Sequence, residues 1–187
     1  MADKLTLNEE ESPIGRITGI IFQFAAVAAL ALFISTFCFF AVSHDSKSME
    51  PGIPAESTVF VSKISYTFAG PKRFDVVAFR RAGAASDSGA LVRRVVGLPG
   101  ETVKIEKGVI YIDGKALEVS GYFSEITSDG IAQEGIKLKD NEYFVLGDTP
   151  ANSEDSRSST VGAVKRADII GKAWLQAISF TDFRMVK

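Results

Sequence analysis

Ser46 and Ser48 stand in Ser46-Lys47-Ser48-Met49-Glu50-Pro51, directly after a long apolar run, and offer the first plausible chemistry in the chain. A serine hydroxyl attacks a carbonyl only when a base takes its proton and donors receive the oxyanion that follows. By residue type alone, Ser48 is one serine in a serine-containing loop. Two other stretches carry side chains that could build a site around it. Arg93 and Arg94 interrupt the apolar run Leu91 to Val96, and Gly147-Asp148-Thr149-Pro150-Ala151-Asn152-Ser153-Glu154-Asp155-Ser156-Arg157 gathers carboxylates, hydroxyls and a guanidinium in one loop. Asp155 and Arg157 can join in a bidentate pair that stiffens that loop. No pattern of cysteines and histidines suits a metal, and the lone His44 reads as an ordinary residue at a membrane edge.

The elements that must position these residues divide at the apolar run. From Ile17 to Val42 there is no charged residue, and the only polar ones are Thr18, Gln23, Ser35 and Thr36. About 20 apolar residues suffice to cross a bilayer core of about 30 Å, so 17–42 is expected to be a transmembrane helix. It is too long for a cleaved signal peptide and ends in bulky Phe37, Phe39 and Phe40 rather than a small-x-small site. Residues 1–16, with Glu9, Glu10 and Glu11, read as a solvated tail, and 43–187 as one folded domain. The charges flanking the span are too mixed to orient it. The single cysteine, Cys38, permits no intramolecular disulfide. A net charge of -2 without a basic stripe argues against nucleic acid as a partner.

Beyond the span, short β-branched and aromatic runs predict strands at 58–62, 75–80, 91–96, 143–146 and 169–175. Thr102 to Ile105 and Val109 to Ile112 flank Glu106-Lys107-Gly108 as a hairpin, and Asp113-Gly114 is a tight-turn signal after it. No amphipathic helix of ordinary length appears, so the domain is expected to be mainly β. Two stretches lack periodicity: the small-residue loop 83–89, and 120–140, a loop or small β insertion.

Four blocks in order resemble the type I signal peptidases. Ser48-Met49-Glu50-Pro51 is similar to the family's nucleophile motif just after the anchor, and Pro71 to Phe79 to a strand leading to its cleft. Leu91-Val92-Arg93-Arg94-Val95-Val96-Gly97-Leu98-Pro99-Gly100 resembles the block that carries its general base. Gly147 to Arg157 resembles its Gly-Asp-Asn-x-x-x-Ser-x-Asp-Ser-Arg signature. The resemblance implies a β-rich domain, with a core shared with self-cleaving repressor proteins, behind one transmembrane helix. It implies a cytoplasmic N-terminus, a domain on the outer face of the plasma membrane, and serine endoproteolysis of exported preproteins without metal or cofactor. The bilayer and the secretion translocon are the further partners it suggests. By the match, Ser48 is the nucleophile, Ser46 helps to receive the oxyanion, position 93 holds the base and Ser153 orients it. Gly147, Asp148, Asp155 and Arg157 support the site.

Position 93 departs from the family, which has lysine there. A buried lysine can lose its proton, but neutralising an arginine at pH 7 costs about 9 kcal/mol, roughly twice the figure for lysine. Weak or absent cleavage is therefore expected. Lys47, Lys63 and Lys72 are the other amines that could serve as base. Three readings stay open: a signal peptidase of low activity, a non-catalytic pseudopeptidase that binds signal peptides or a secretion partner, and a specialised pilin-processing peptidase. Further departures are Gly52 for threonine, Phe74 for glycine, Glu101 for aspartate, and Thr149-Pro150 for Asn-Arg.

Overall fold

The computed structural model describes residues 13–81, 83, 87, 89–119, 121–179 and 181–186. Residues 1–12 of the expected tail and much of the 83–89 loop lie outside these. The chain forms two compact units, one ending at Phe37 and one beginning at Cys38. The described residues of the first unit lie in one helix, α1 (Pro13–Cys38), which runs one residue past that boundary and has proline at its first position, where a missing N–H costs nothing. Within it Gly15–Phe33, 19 residues, is long and apolar enough to cross a membrane.

The helix stops earlier than the apolar run. Phe39–His44 form a strand, β1, so the expected 17–42 span divides between a helix and the first strand of the domain. Aromatic and β-branched residues suit a pleated surface. Here they pair antiparallel with β2 (Ser57–Ser62), Val42 opposite Val59 and His44 opposite Ser57.

The second unit is mainly β, as expected. Its larger sheet is antiparallel and adds β3 (Val76–Phe79), β4 (Leu91–Gly97), β9 (Glu142–Leu146), β10 (Val164–Lys165), β11 (Ile169–Ser179) and β12 (Asp182–Met185). The order is β1-β2-β11-β3-β4-β9-β10, with β12 on β11, so β1 is an edge. The smaller sheet holds β5 (Thr102–Glu106), β6 (Val109–Ile112), β7 (Lys115–Ala116) and β8 (Ile136–Lys137), in the order β7-β6-β5-β8. The two turns read as tight are so: Lys107-Gly108 and Asp113-Gly114 all have positive φ. Of the 120–140 stretch, residues 121–140 form a loop carrying one 3₁₀ turn and the short strand β8.

Three apolar clusters hold the domain. One gathers Val42, Met49, Ile53, Val59 and Val92, and so packs the turn that carries Ser48 onto the larger sheet. Another joins Val96, Phe144 and Leu146 to Val103, Ile105 and Ile110 of the smaller sheet.

Phe74, where the family has glycine, sits at φ 69. A left-handed non-glycine residue costs about 1–2 kcal/mol. Its ring stacks on Tyr122 with centroids 4.5 Å apart, which offsets that strain. A double-mutant cycle of Phe74→Ala and Tyr122→Ala, read by denaturant unfolding, is expected to give a coupling of about 0.5–1.5 kcal/mol. Additive losses would mean that the stack contributes nothing of its own.

Candidate active site

Ser48 lies in a 3₁₀ turn, Lys47–Met49, that follows β1 by two residues. Ser46 caps this turn: its Oγ stands 2.7 Å from Ser48 Oγ and 3.4 Å from the Ser48 N–H that points to it. Ser48 is fully buried. Its carbonyl accepts from Thr149 N at 2.9 Å, and Thr149 Oγ1 donates to the Glu50 carbonyl at 2.7 Å. A Cβ at Gly147 would come within 2.6 Å of the Ser48 carbonyl oxygen, so only glycine lets the 147–157 loop press against the serine turn. Thus two blocks about a hundred residues apart in sequence meet here.

β4 brings Arg93 and Arg94 to the same region, both 3% exposed. Successive residues of a strand point to opposite faces, and the two guanidiniums take different partners. Arg94 grips Asp148 in bidentate fashion, at 2.8 and 2.6 Å, donates to the Phe74 carbonyl at 3.0 Å and lies under the Tyr122 ring. Arg93 donates through Nε to the Glu154 carbonyl at 2.9 Å and through Nη1 to the Val92 carbonyl at 2.6 Å. Burial pushes Arg93 down to about 10, against the pull of Asp155 and Glu154. Burial eases the loss of its proton, yet at pH 7 it remains a cation.

Asp155 and Arg157 form the expected pair: Nε to Oδ1 is 2.9 Å and Nη2 to Oδ2 is 3.0 Å. Asp155 also accepts from the Gly147 and Arg157 amides, each at 3.2 Å. Ser156 exchanges hydrogen bonds with Val145, closing the loop onto β9.

A family model described as signal peptidase, peptidase S26, matches residues 17–178. The chain belongs to the type I signal peptidase family. Signal peptidase I of Leptolyngbya laminosa is 37% identical over 149 residues, which cover 77% of this chain and 71% of that one. Probable signal peptidase I-2 of a Synechocystis species is 33% identical, over 79% of this chain and 66% of its own length. A crystal structure of a signal peptidase I from Enterococcus faecalis shares 30% identity, covers 55% of this chain and 95% of that one, and superposes with a TM-score of 0.43.

Against the signal peptidase pattern, most departures of this chain are built into its contacts. Thr149 ties the serine turn, and the Pro150 carbonyl receives Arg157 Nη2. A Cβ at position 52 would stand 2.9 Å from Asp148 Oδ2, so Gly52 gives room to the Arg94–Asp148 pair, and the Gly52 carbonyl accepts from Gln176 at 3.0 Å. The turn is tied rather than loose there. Glu101 pairs with Arg73 and accepts from the Leu98 amide at 2.8 Å.

Two expectations fail. Ser153 Oγ is buried but makes no hydrogen bond, so it does not hold Arg93; the guanidinium's fork is taken by the two backbone carbonyls instead. His44 is no ordinary interfacial residue. It is 4% exposed, with Nε2 buried and unpartnered. Burial, and then the Arg93 cation, push its imidazole down to about 4, against Asp45 and Glu50. The alternation of buried Val42 and His44 along β1 is a period-2 signal for this, hidden in sequence because 39–42 read as membrane helix. The other amines are remote in character: Lys47 and Lys72 are exposed, and Lys63 Nζ rests 5.2 Å over the Phe40 ring.

Proposed function

We propose that the chain is a membrane-anchored serine endopeptidase that removes signal peptides from exported preproteins, and that Arg93 keeps its rate low. The observation that carries this reading is the Ser46–Ser48 hydroxyl pair, 2.7 Å apart, just after β1, an edge strand of the larger sheet among the described residues. A groove of about 460 Å³ adjoins that edge, lined by Phe40, Val42, Ser43, Asp45, Asp87 and Ala90 among others. An extended peptide adding to β1 as a further strand is carried toward Ser48 by main-chain hydrogen bonds alone. Ser48 Oγ attacks the scissile carbonyl. Its N–H receives the oxyanion together with the Ser46 hydroxyl, which turns from Ser48 to do so. The helix α1 anchors the domain, with the N-terminus in the cytoplasm and the groove on the outer face.

The test is cleavage of a preprotein in detergent or liposomes by the native chain and Ser48→Ala. Slow cleavage that disappears in Ser48→Ala is expected. A rate unchanged by Ser48→Ala would sink the reading. Retained peptide binding without Ser48-dependent cleavage, in the native chain and in Arg93→Lys alike, would favour the non-catalytic reading instead.

A further inference from the structure

With Arg93 cationic and Lys47, Lys63 and Lys72 turned elsewhere, the site needs another acceptor for the serine proton. We propose that the imidazole of His44 is that acceptor, and that Arg93 acts beside it as a fixed cation that stabilises the Ser48 alkoxide. This rests on the endopeptidase reading above.

His44 ends β1, four residues before Ser48 and on the strand face shared with Val42, which packs with Met49 beneath the serine turn. A buried polar nitrogen without a partner is costly and uncommon, and Nε2 of His44 is such an atom. The charged groups that face the ring are Arg93 from β4, Asp45 at the end of its own strand and Glu50 after the serine turn. Arg93 discourages a second positive charge on the ring, so the imidazole is neutral in the resting protein and ready to accept.

The step balances without any further reactant. As the Ser48 hydroxyl turns from Ser46 to the ring, its proton passes to Nε2 and the oxygen lone pair forms the bond to the scissile carbonyl carbon. The carbonyl π pair moves onto the oxyanion. When the C–N bond breaks, the same proton leaves Nε2 for the departing amine. Water then repeats the cycle on the acyl-serine.

The experiment compares preprotein cleavage by four full-length forms in detergent across pH: native, His44→Gln, Arg93→Lys, and Arg93→Lys with His44→Gln. Glutamine keeps size and polarity but cannot take the proton. His44→Gln alone is expected to lose about 100-fold or more, the usual worth of a general base. The double variant should match Arg93→Lys, because lysine then supplies the base and the fold is intact. Since the ring charges only near about 4, native cleavage should hold level through neutral pH and fall as acid protonates the ring. Arg93→Lys should instead rise toward alkaline pH. The proposal is overturned if His44→Gln keeps the native rate, or if the double variant is as dead as His44→Gln, which would make His44 structural. It is overturned too if the native chain is silent while Arg93→Lys cleaves; the endopeptidase reading survives that result. Silence from all four forms sinks both.

Discussion

Arg93→Lys should raise cleavage of a preprotein at neutral to mildly alkaline pH by about 100-fold or more. The site pushes Arg93 down to about 10 mainly by burial, which acts on any cation placed there. Burial there would hold a lysine well below its usual range, so a share of it is neutral in mild alkali. Ser153 Oγ is buried and unpaired, one residue before the Glu154 whose carbonyl receives Arg93 Nε. The effect should appear in kcat rather than KM, because the groove along β1 is untouched. Single-turnover cleavage against pH checks both points. Absence of any gain would locate the defect elsewhere, with Ser46 and its rotation the first place to look.

Asp155→Ala is expected to destabilise the domain by about 3–5 kcal/mol, the cost of leaving one partner of a buried ion pair uncompensated. Asp155 is 1% exposed and Arg157 7%, and four donors converge on the carboxylate. Removing it strands the guanidinium and frees the Gly147 amide, so the loop that holds the Ser48 carbonyl should loosen with it. Thermal unfolding should shift downward by about 10 °C or more for a domain of this size. Asp182→Ala provides the contrast. Its pair with Arg184 has the same short contact, 2.9 Å, but the side chains are 40% and 62% exposed. A change below about 1 kcal/mol is expected there. Equal losses from the two substitutions would contradict the argument that burial, not the contact itself, sets the cost.

Several parts of this molecule could be read before any coordinates. The strands at 58–62, 75–80, 91–96, 143–146 and 169–175 were legible because their apolar runs are short and bounded by turn residues. The two Gly-containing turns at 107–108 and 113–114 were legible because only a few residue types accept positive φ. The four ordered motifs pointed to the serine turn, the arginine strand and the 147–157 loop as one site. Less legible were β7, β8, β10 and β12, each two to four residues long, which owe their pairing to neighbours rather than to a pattern of their own. β1 was misassigned because hydrophobicity is common to a membrane helix and a buried strand.

By itself, then, the sequence determined a mainly β domain behind one apolar helix, the family, and the chemical problem at position 93. Those follow from residue type, spacing and order, which are local properties of the chain. The tertiary structure alone decided what surrounds that problem. It sets how far burial lowers the guanidinium, which carbonyls occupy its fork, that Ser153 is left without a partner, and that His44 lies buried. Each of these depends on atoms from strands and loops far apart in the chain, and both desolvation and Coulomb interactions act on distance in space rather than in sequence.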